Sequence, residues 1–591
     1  MMKRMSMVVL AGVVGVSASA GTTYNIPSPN DVGNAAAIAA LTNAITSINS
    51  ANSTGSQILL APGVYDLSGV TTTIGGKVQG VHLYINTYMR NGLIAGTGET
   101  PGDTVLLGGG ETYQKGVHYI WATDATKPTV VSNLTITGGW RSGDCGGLYG
   151  SSYGGLIMRN CIVSNNYATG LGAGVIRAKA YNCLFADNTS SSKNGGGFWS
   201  DTAGLGAQDC VFSNNVTSAY GGGAYLSGSG SYLVNCRFYD NAGASASGAY
   251  IIGVVSNCVF KGNKPTAAAS SNKLGGGLYL SSGECVDCKF FDNAADRGGG
   301  MYVASSSAVI RDCVFEGNRQ TGWASGAAMF VNASSPLALV SNCVFSANTA
   351  ESSSRTIISN AELVDCVITN HNITSGYILA GCNMTRCLFA DNSTTGNGQH
   401  LDIGTAYNTT AVSRTNVNCI VANNRAMGIN SITDGKKVIN CTYYGNYCDS
   451  GNYGTTARDC VCWNSIFTGN TVSGIGAAAG DVRRNFQGGE VHELYLTNCI
   501  FSLSDVAVDA NYLSNCKKIP TAQIKFHETE SGGEFDIRAS SPAFGAGVWE
   551  DWMVDALGPL DFARRPRVMF GAIDVGALEC QLVPGALLIF R

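Results

Sequence analysis

One phrase recurs along most of this 591-residue chain: Asn or Asp, then Cys, any residue, an apolar or aromatic residue, two more, and Asn. It is written as Asn160-Cys161-Ile162-Val163 to Asn166, Asn182-Cys183-Leu184-Phe185 to Asn188, and Asp209-Cys210-Val211-Phe212 to Asn215. Further copies centre on Cys236, Cys258, Cys288, Cys313, Cys343, Cys366, Cys387, Cys419 and Cys441. Asn464-Ser465-Ile466-Phe467 to Asn470 carries Ser for Cys, and Asn498-Cys499-Ile500-Phe501 keeps the first half. Successive cysteines from 161 to 441 lie 21 to 32 residues apart. A repeat of that length whose spacing varies describes a unit with a fixed core and free loops.

Between these copies sits a second phrase, a glycine cluster followed by apolar, aromatic and apolar residues. Examples are Gly223-Ala224-Tyr225-Leu226, Gly277-Leu278-Tyr279-Leu280 and Gly300-Met301-Tyr302-Val303. Each repeat therefore holds short runs with two-residue alternation, separated by Gly, Asn, Asp and Ser. These are strand and turn signals, and no helical period lies between them. Helical solenoids are excluded by the 77 glycines, each of which would cost about 1 kcal/mol inside a helix. The expected fold is all-β: a right-handed parallel β-helix solenoid whose coils stack about 4.8 Å apart, so that equivalent positions form columns.

Stacking explains the residue types. Cys and the apolar residue two places later share one strand face and pack inward. The Asn five places after Cys is expected at a bend, in left-handed backbone, bonding along its own column. Neighbouring column cysteines would sit about 4.8 Å apart, wider than disulfide geometry prefers. The column is read as buried thiols. Cys145, Cys285, Cys382, Cys448, Cys460, Cys462, Cys516 and Cys580 fall off the column and are the better candidates for bridges, with Cys285–Cys288 and Cys460–Cys462 as possible loop pairs.

Composition removes several classes. With 45% apolar residues and a net charge of −4 the chain is not disordered, and its near-neutral balance implies no attraction to nucleic acid. Lys3 and Arg4, the apolar run Met7 to Val16, and Ala18-Ser19-Ala20 read as a secretory signal peptide cleaved near Ala20. The mature protein is accordingly expected outside the cytoplasm, secreted or on the cell envelope.

Residues 35 to 49, AAAIAALTNAITSIN, form the one stretch of sustained helical character, and a strand, Gln57-Ile58-Leu59-Leu60, follows. A helix here would cap the first coil, whose core and strand edges are otherwise exposed. Beyond about residue 530 the repeat stops. The organisation expected is a signal peptide at 1–20, a helical cap at 21–55, the β-helix at 56–530 and a C-terminal closure or anchoring module at 531–591.

The repeat phrases carry a resemblance. Phe185 to Asn188 and Gly276-Gly277-Leu278-Tyr279 look like the Phe-x-x-Asn and Gly-Gly-x-x motifs of polymorphic outer-membrane proteins, and the whole of residues 55 to 510 resembles the pectate-lyase-like β-helix superfamily. The C-terminal pieces Phe535-Asp536-Ile537-Arg538, Ser541-Pro542-Ala543, Asp561 to Arg567 and Ile573-Asp574-Val575-Gly576-Ala577-Leu578-Glu579 resemble a module called choice-of-anchor Q. They depart from it at Arg564, which stands where Gly is usual. The resemblance implies a cell-surface protein attached to the envelope through that module.

Enzymes of the superfamily act on acidic polysaccharides with carboxylates, calcium and a basic residue. No adjacent Asp-Asp pair or Gly-His-Gly occurs in this chain, and Arg177-Ala178-Lys179 and Arg565-Pro566-Arg567 are short matches to basic motifs. Catalytic residues are therefore not assigned. Asp287 and Asp312, each one place before Cys on consecutive coils, are the candidate metal pair, and calcium is the one cofactor they would take. The bland alternative is a solvated Asn/Asp column balanced by Lys289 and Arg311.

A more distinctive feature is aromatic. If the residues flanking the aromatic of the second phrase point inward, alternation turns Trp199, Tyr225, Tyr250, Tyr279, Tyr302 and Phe330 outward on consecutive coils. They would form a strip about 24 Å long on whose ring faces sugars stack, or against which a partner packs. The alternative is a ladder that only stabilises the sheet. The reading is a monomeric, non-catalytic surface protein of adhesion or recognition type, binding a polysaccharide or cell-surface partner; the runner-up is a polysaccharide lyase or glycoside hydrolase.

Overall fold

The computed structural model describes residues 21–578 except 51–53, 76–80, 86–88, 122–123, 267–272, 323–324, 333–335, 351–355, 375, 396–400, 405–413, 428–430, 450–454, 474–479, 484–494, 503–512, 525, 527–536, 539, 549–558 and 567–572. Residues 1–20, which the sequence reads as a signal peptide, and Phe535, Asp536, Arg567, Glu579 and Cys580 therefore lie outside the described residues. Two compact units result, one of residues 1–169 and 173–184, the other of residues 170–172 and 185–591.

In the first unit the helix Asn34–Ser50 buries Ala37, Leu41, Ala44, Ile45 and Ile48. Asn49 Nδ2 fixes its C-terminal end by donating to Gly75 O at 2.7 Å and Tyr84 O at 2.8 Å. Parallel strands follow, such as Val81–Ile85, Gly116–Ile120 and Leu148–Gly150, with Tyr84 opposite Tyr119 and Tyr119 opposite Tyr149.

The second unit stacks coils whose strands pair in parallel with the equivalent strand of the next coil. One sheet is built from the glycine-cluster strands, for example Ala249–Ser256 on Leu278–Val286, with Tyr250 opposite Tyr279. A second sheet follows the cysteines: Val259–Lys261, Lys289–Phe291, Val314–Glu316 and Val344–Ser346 bring Phe260, Phe290, Phe315 and Phe345 into register. A third is made of short strands such as Ala294–Ala295 on Arg319–Gln320. The chain is thus a parallel β-helix, as the period implied.

Each column has its own chemistry. The phenylalanines from Phe185 to Phe345 stack along the axis at centroid distances of 4.6 to 5.0 Å. Behind them the Asn column is fully buried. Asn293 Nδ2 donates to Phe260 O at 2.9 Å and to Asn318 Oδ1 at 3.0 Å, while its own Oδ1 accepts from the Asn263 backbone N–H at 3.1 Å and Nδ2 at 2.9 Å. The same pattern recurs at Asn318, Asn392, Asn424 and Asn446. His371 takes one place in the column, where its Nδ1 accepts from Asn348 N at 3.1 Å and burial lowers its pKa to about 3, so it stands neutral.

The left-handed backbone is not where the sequence reading put it. The ladder-forming Asn keeps ordinary φ. Left-handed values fall on the residue before it, such as Asp240 (φ 51) and Asp292 (φ 53), and on the Asn or Asp before Cys, such as Asn257 (φ 50) and Asp287 (φ 54). The physical reason is a division of labour. Short polar side chains tolerate this conformation and face water at the two corners, whereas the next residue turns inward to satisfy buried carbonyls. Glycine serves closest approach: a Cβ on Gly277 would meet Gly300 O at 2.6 Å.

The cysteine column is as free of bridges as expected, and the off-column set is too. Cys145, Cys285, Cys382, Cys448, Cys460, Cys462 and Cys516 are all free thiols, which corrects the expectation of bridges among them. Cys285 does approach a cysteine of the next coil, Cys313, but at an Sγ–Sγ distance of 3.9 Å, far beyond a covalent bond. Cys516 is in fact a column member, since Ile500 pairs with Lys517 and sets Cys499 opposite Cys516. Column thiols are held by hydrogen bonds: Cys258 Sγ donates to Ser256 O at 3.3 Å, and Cys288 Sγ accepts from Cys258 N at 3.4 Å. Ser465 fills the same role with Trp463 O at 2.8 Å and Cys441 N at 3.2 Å. Titration with a thiol reagent in denaturant, without reductant, is expected to find nearly every cysteine reactive; fewer than about eight would contradict a stack of small buried hydrophobes.

The C-terminal segment runs back along the flank of the later coils. Val548 and Asn464 exchange hydrogen bonds of 3.0 and 2.8 Å, Asn498 Nδ2 donates to Ala546 O at 2.7 Å, and Ala577 N donates to Thr442 Oγ1 at 3.0 Å. Val575 packs with Ile466 and Ile500, and Ala577 and Leu578 pack with Ile420 and Ala422. The outward residues of these coils are apolar because this segment covers them.

Candidate functional site

The aromatic phrase positions its ring through strand alternation. Ala249, Ile251, Leu278, Leu280, Met301 and Val303 point inward and are fully buried, so the aromatic between each pair faces away from the core. Register brings Trp199 opposite Tyr225, then Tyr250, Tyr279, Tyr302 and Phe330 on successive coils. Ring centroids are 4.6 Å apart for Tyr225–Tyr250, 4.9 Å for Tyr250–Tyr279, 4.7 Å for Tyr279–Tyr302 and 5.7 Å for Tyr302–Phe330.

That stacking corrects the expected chemistry. Strand spacing equals the preferred ring spacing, so each ring face is covered by the next ring and is not available to a sugar. Solvent meets ring edges and phenol oxygens instead. The strip is also unevenly open: Trp199 and Tyr302 are only 7% and 4% exposed, whereas Tyr225, Tyr250, Tyr279 and Phe330 are half-buried. Tyr220, exposed at 38%, sets its ring edge-on to both Tyr250 and Tyr279 at 6.2 Å, and Arg297 lies 5.5 Å from the Phe330 centroid. Burial raises the Tyr279 hydroxyl to about 12 and raises Tyr225 and Tyr302 as well, so these phenols remain protonated hydrogen-bond donors at neutral pH.

A second ladder was missed in the sequence. In the first unit Tyr84 stacks on Tyr119 at 5.7 Å, Tyr149 lies tilted against Tyr119 at 4.6 Å, and Arg177 Nη1 donates to Tyr149 Oη at 3.5 Å. The signal was present in Gly146-Gly147-Leu148-Tyr149, which repeats the glycine-aromatic phrase. Arg177 is thereby a rung neighbour of this ladder, and Lys179 lies apart on the strand Lys179–Tyr181, paired with Ile157.

Asp287 and Asp312 occupy equivalent exposed corners with φ of 54° and 58°. Asp312 accepts from Asn342 Nδ2 at 2.5 Å and from Arg311 Nη1 at 3.1 Å. The corner column joins elsewhere in the same way, Asn257 donating to Asn235 at 2.8 Å. Among the described residues no three His, Cys, Asp or Glu side chains converge on a point that could hold a metal ion. The pair accordingly has the surroundings of a turn ladder, not of a calcium cage, which takes six to eight oxygens.

The other carboxylate and arginine clusters are ion pairs. Arg386 grips Asp365 in a fork at 2.7 and 3.0 Å, and Arg564 adds a contact at 3.0 Å. Burial works to raise the Asp365 pKa, but the hydrogen bond and charge of Arg386, with Arg564, hold it below the usual range. Such a carboxyl is a poor general acid. Arg564 itself has φ 62, a left-handed conformation that costs a residue with a side chain; its bond to Asp365 offsets the strain. Arg565 is likewise tied to Asp561 at 3.0 Å.

Comparison with known proteins agrees with the architecture. Residues 146–309 match a family model described as right handed beta helix region. The chain is a right-handed parallel β-helix repeat protein. No curated protein matches it. Similar solved structures include the tailspike gp49 of Acinetobacter baumannii bacteriophage Fri1, a capsular polysaccharide depolymerase, at 12% identity and a TM-score of 0.25, with 61% of this chain and 59% of that one covered. The tailspike of E. coli bacteriophage HK620, in complex with a pentasaccharide, aligns at 12% identity and a TM-score of 0.23 over 76% of each chain. The A-module of the mannuronan C-5 epimerase AlgE4 of Azotobacter vinelandii aligns at 12% and 0.17 over 78% of this chain and 96% of its own. At such scores the fold of this β-helix rests on its own strands.

Proposed function

We propose that this β-helix is a secreted, envelope-associated recognition protein that binds an extended glycan, without cleaving it, along the row Tyr225, Tyr250 and Tyr279. The observation that carries the reading is the row itself: half-buried phenols at one position of three consecutive coils, bordered by Tyr220. A row of donors at strand spacing suits a ligand that is itself linear and rich in hydroxyl groups, held by hydrogen bonds to ring edges and hydroxyls, with Tyr220 offering a more open ring. The likeness of residues 531–591 to an anchoring module supports attachment to the envelope, as does the signal-like N-terminus, and the glycine-aromatic phrases support kinship with outer-membrane-type surface proteins.

The test is binding to a panel of immobilised acidic and neutral polysaccharides, with product release assayed in parallel. The double variant Tyr250→Ala, Tyr279→Ala is expected to weaken binding at least about tenfold, close to 1.4 kcal/mol, and to keep the β-sheet circular dichroism. Unchanged binding by that variant would end this reading, and release of shortened chains by the unmodified protein would replace it with the lyase or hydrolase.

A further inference from the structure

The interior of the later coils holds a charged group that neither the fold nor the aromatic row accounts for. Lys436, Asp402 and Asn416 are each 0% exposed. Asn416 and Asp402 stand among uncharged register neighbours, Asn416 between buried Met384 and Val438 and Asp402 between Leu379 and Thr433, while Lys436 follows Arg414 in its own column. A buried ion pair seldom repays its desolvation when apolar residues would serve.

Their geometry is that of a reaction centre. Lys436 Nζ lies 2.5 Å from Asp402 Oδ1 and 3.1 Å from Asn416 Oδ1, and it also donates to Cys382 O at 2.9 Å. Asn416 Nδ2 donates to Asp402 Oδ2 at 2.8 Å. One carboxylate therefore touches the amine with one oxygen and the amide nitrogen with the other. We propose that Lys436 and Asn416 join in an autocatalysed isopeptide bond, with Asp402 carrying the protons.

The step balances without a co-reactant. Lys436 passes a proton to Asp402 Oδ1, and the freed Nζ lone pair attacks Asn416 Cγ, pushing the carbonyl electrons onto Oδ1. Asp402 then protonates Nδ2 and takes a proton from Nζ. Collapse of the tetrahedral centre re-forms the carbonyl, breaks the Cγ–Nδ2 bond and expels ammonia. An ammonium, a carboxylate and a primary amide become a secondary amide, a neutral acid and ammonia, so two buried charges vanish. That is the direction an apolar interior favours. Burial already raises the Asp402 pKa despite Lys436 and Asn416, which eases the first transfer. The strands Arg414–Val417 and Lys436–Ile439 are neighbours in adjacent coils, so the bond would rivet one coil to the next from inside.

The test is tryptic peptide mapping of the full chain by mass spectrometry. The expected result is a branched peptide in which the segment following Arg414 is joined to one bearing an uncut Lys436, lighter by one ammonia than the two together. Two separate linear peptides from the natively folded protein would overturn the proposal, and a join from Lys436 to Asp402 with loss of water would overturn the choice of Asn416. Asp402→Asn is expected to abolish the branched peptide; its persistence in that variant would remove Asp402 from the chemistry.

Discussion

Asn293→Ala is expected to destabilise the surrounding coils by about 3 to 5 kcal/mol, measured as a fall in the denaturant midpoint and as faster amide exchange in the strands Lys289–Phe291 and Val314–Glu316. The side chain is fully buried and its amide satisfies groups on the coils to either side at once: Phe260 O, Asn263 N and Asn263 Nδ2 on the preceding coil, and Asn318 Oδ1 on the next. Alanine removes both lone-pair acceptors and both donors, so at least two buried polar groups lose their partner, at about 1 to 3 kcal/mol each. No water can reach them past Phe290 and Phe315, which are also fully buried. Asn257 is the control. It is exposed, makes one side-chain bond to Asn235 at 2.8 Å and sits at φ 50, so its replacement by Ala costs mainly the left-handed backbone, roughly 1 to 2 kcal/mol. Equal losses at the two sites would show that the inner ladder contributes nothing beyond its turn. Because coils contact only their neighbours, the damage should stay local.

That inner ladder also shows what a sequence of this kind reveals. Period, strand type and the inward Cys and Phe were legible because each repeats on many coils, and a column of identical residues is its own evidence. The outer corner was misplaced by one residue because Asn serves both as a left-handed turn residue and as a buried hydrogen-bonder, and composition cannot separate the two uses. Cys516 was left off the column because Lys517 and Lys518 replace the usual apolar pair at the last coil. The aromatic row was legible in register but not in chemistry: whether a ring offers its face or its edge depends on the neighbouring ring, and the cover from Tyr220 and Arg297 comes from a different part of the coil. Lys436, Asp402 and Asn416 left no trace at all, since they are scattered over strands and each occurs once. Features that repeat are visible in one dimension, and a site assembled from single residues is not.

The C-terminal segment is the largest case of that kind, and Val575→Asp is expected to detach it. Val575 is 1% exposed and packs with Ile466, Ile500 and Ala543 in one apolar cluster. A carboxylate there has no partner among those neighbours, and an uncompensated buried charge costs several kcal/mol in practice, about 3 to 5. The polar contacts that flank the cluster, such as Gly576 N to Asn464 O at 2.8 Å and Asn498 Nδ2 to Ala546 O at 2.7 Å, contribute near 1 kcal/mol apiece once exchanged with water. They cannot hold the segment against that cost if the cluster opens, because opening also frees the asparagines to be hydrated. The solenoid, by contrast, keeps its inner columns: Phe467 and Phe501 stack at 5.5 Å on the other side of the strand. Limited proteolysis is therefore expected to trim the variant near residue 540 at a protease concentration that leaves the unmodified protein whole, with the β-sheet circular dichroism of the remaining body retained. Simultaneous loss of the whole sheet signal would mean that the flank is part of the solenoid's own folding unit, and resistance equal to the unmodified protein would mean that the Arg564–Asp365 ion pair and the flanking hydrogen bonds hold the segment without its apolar face.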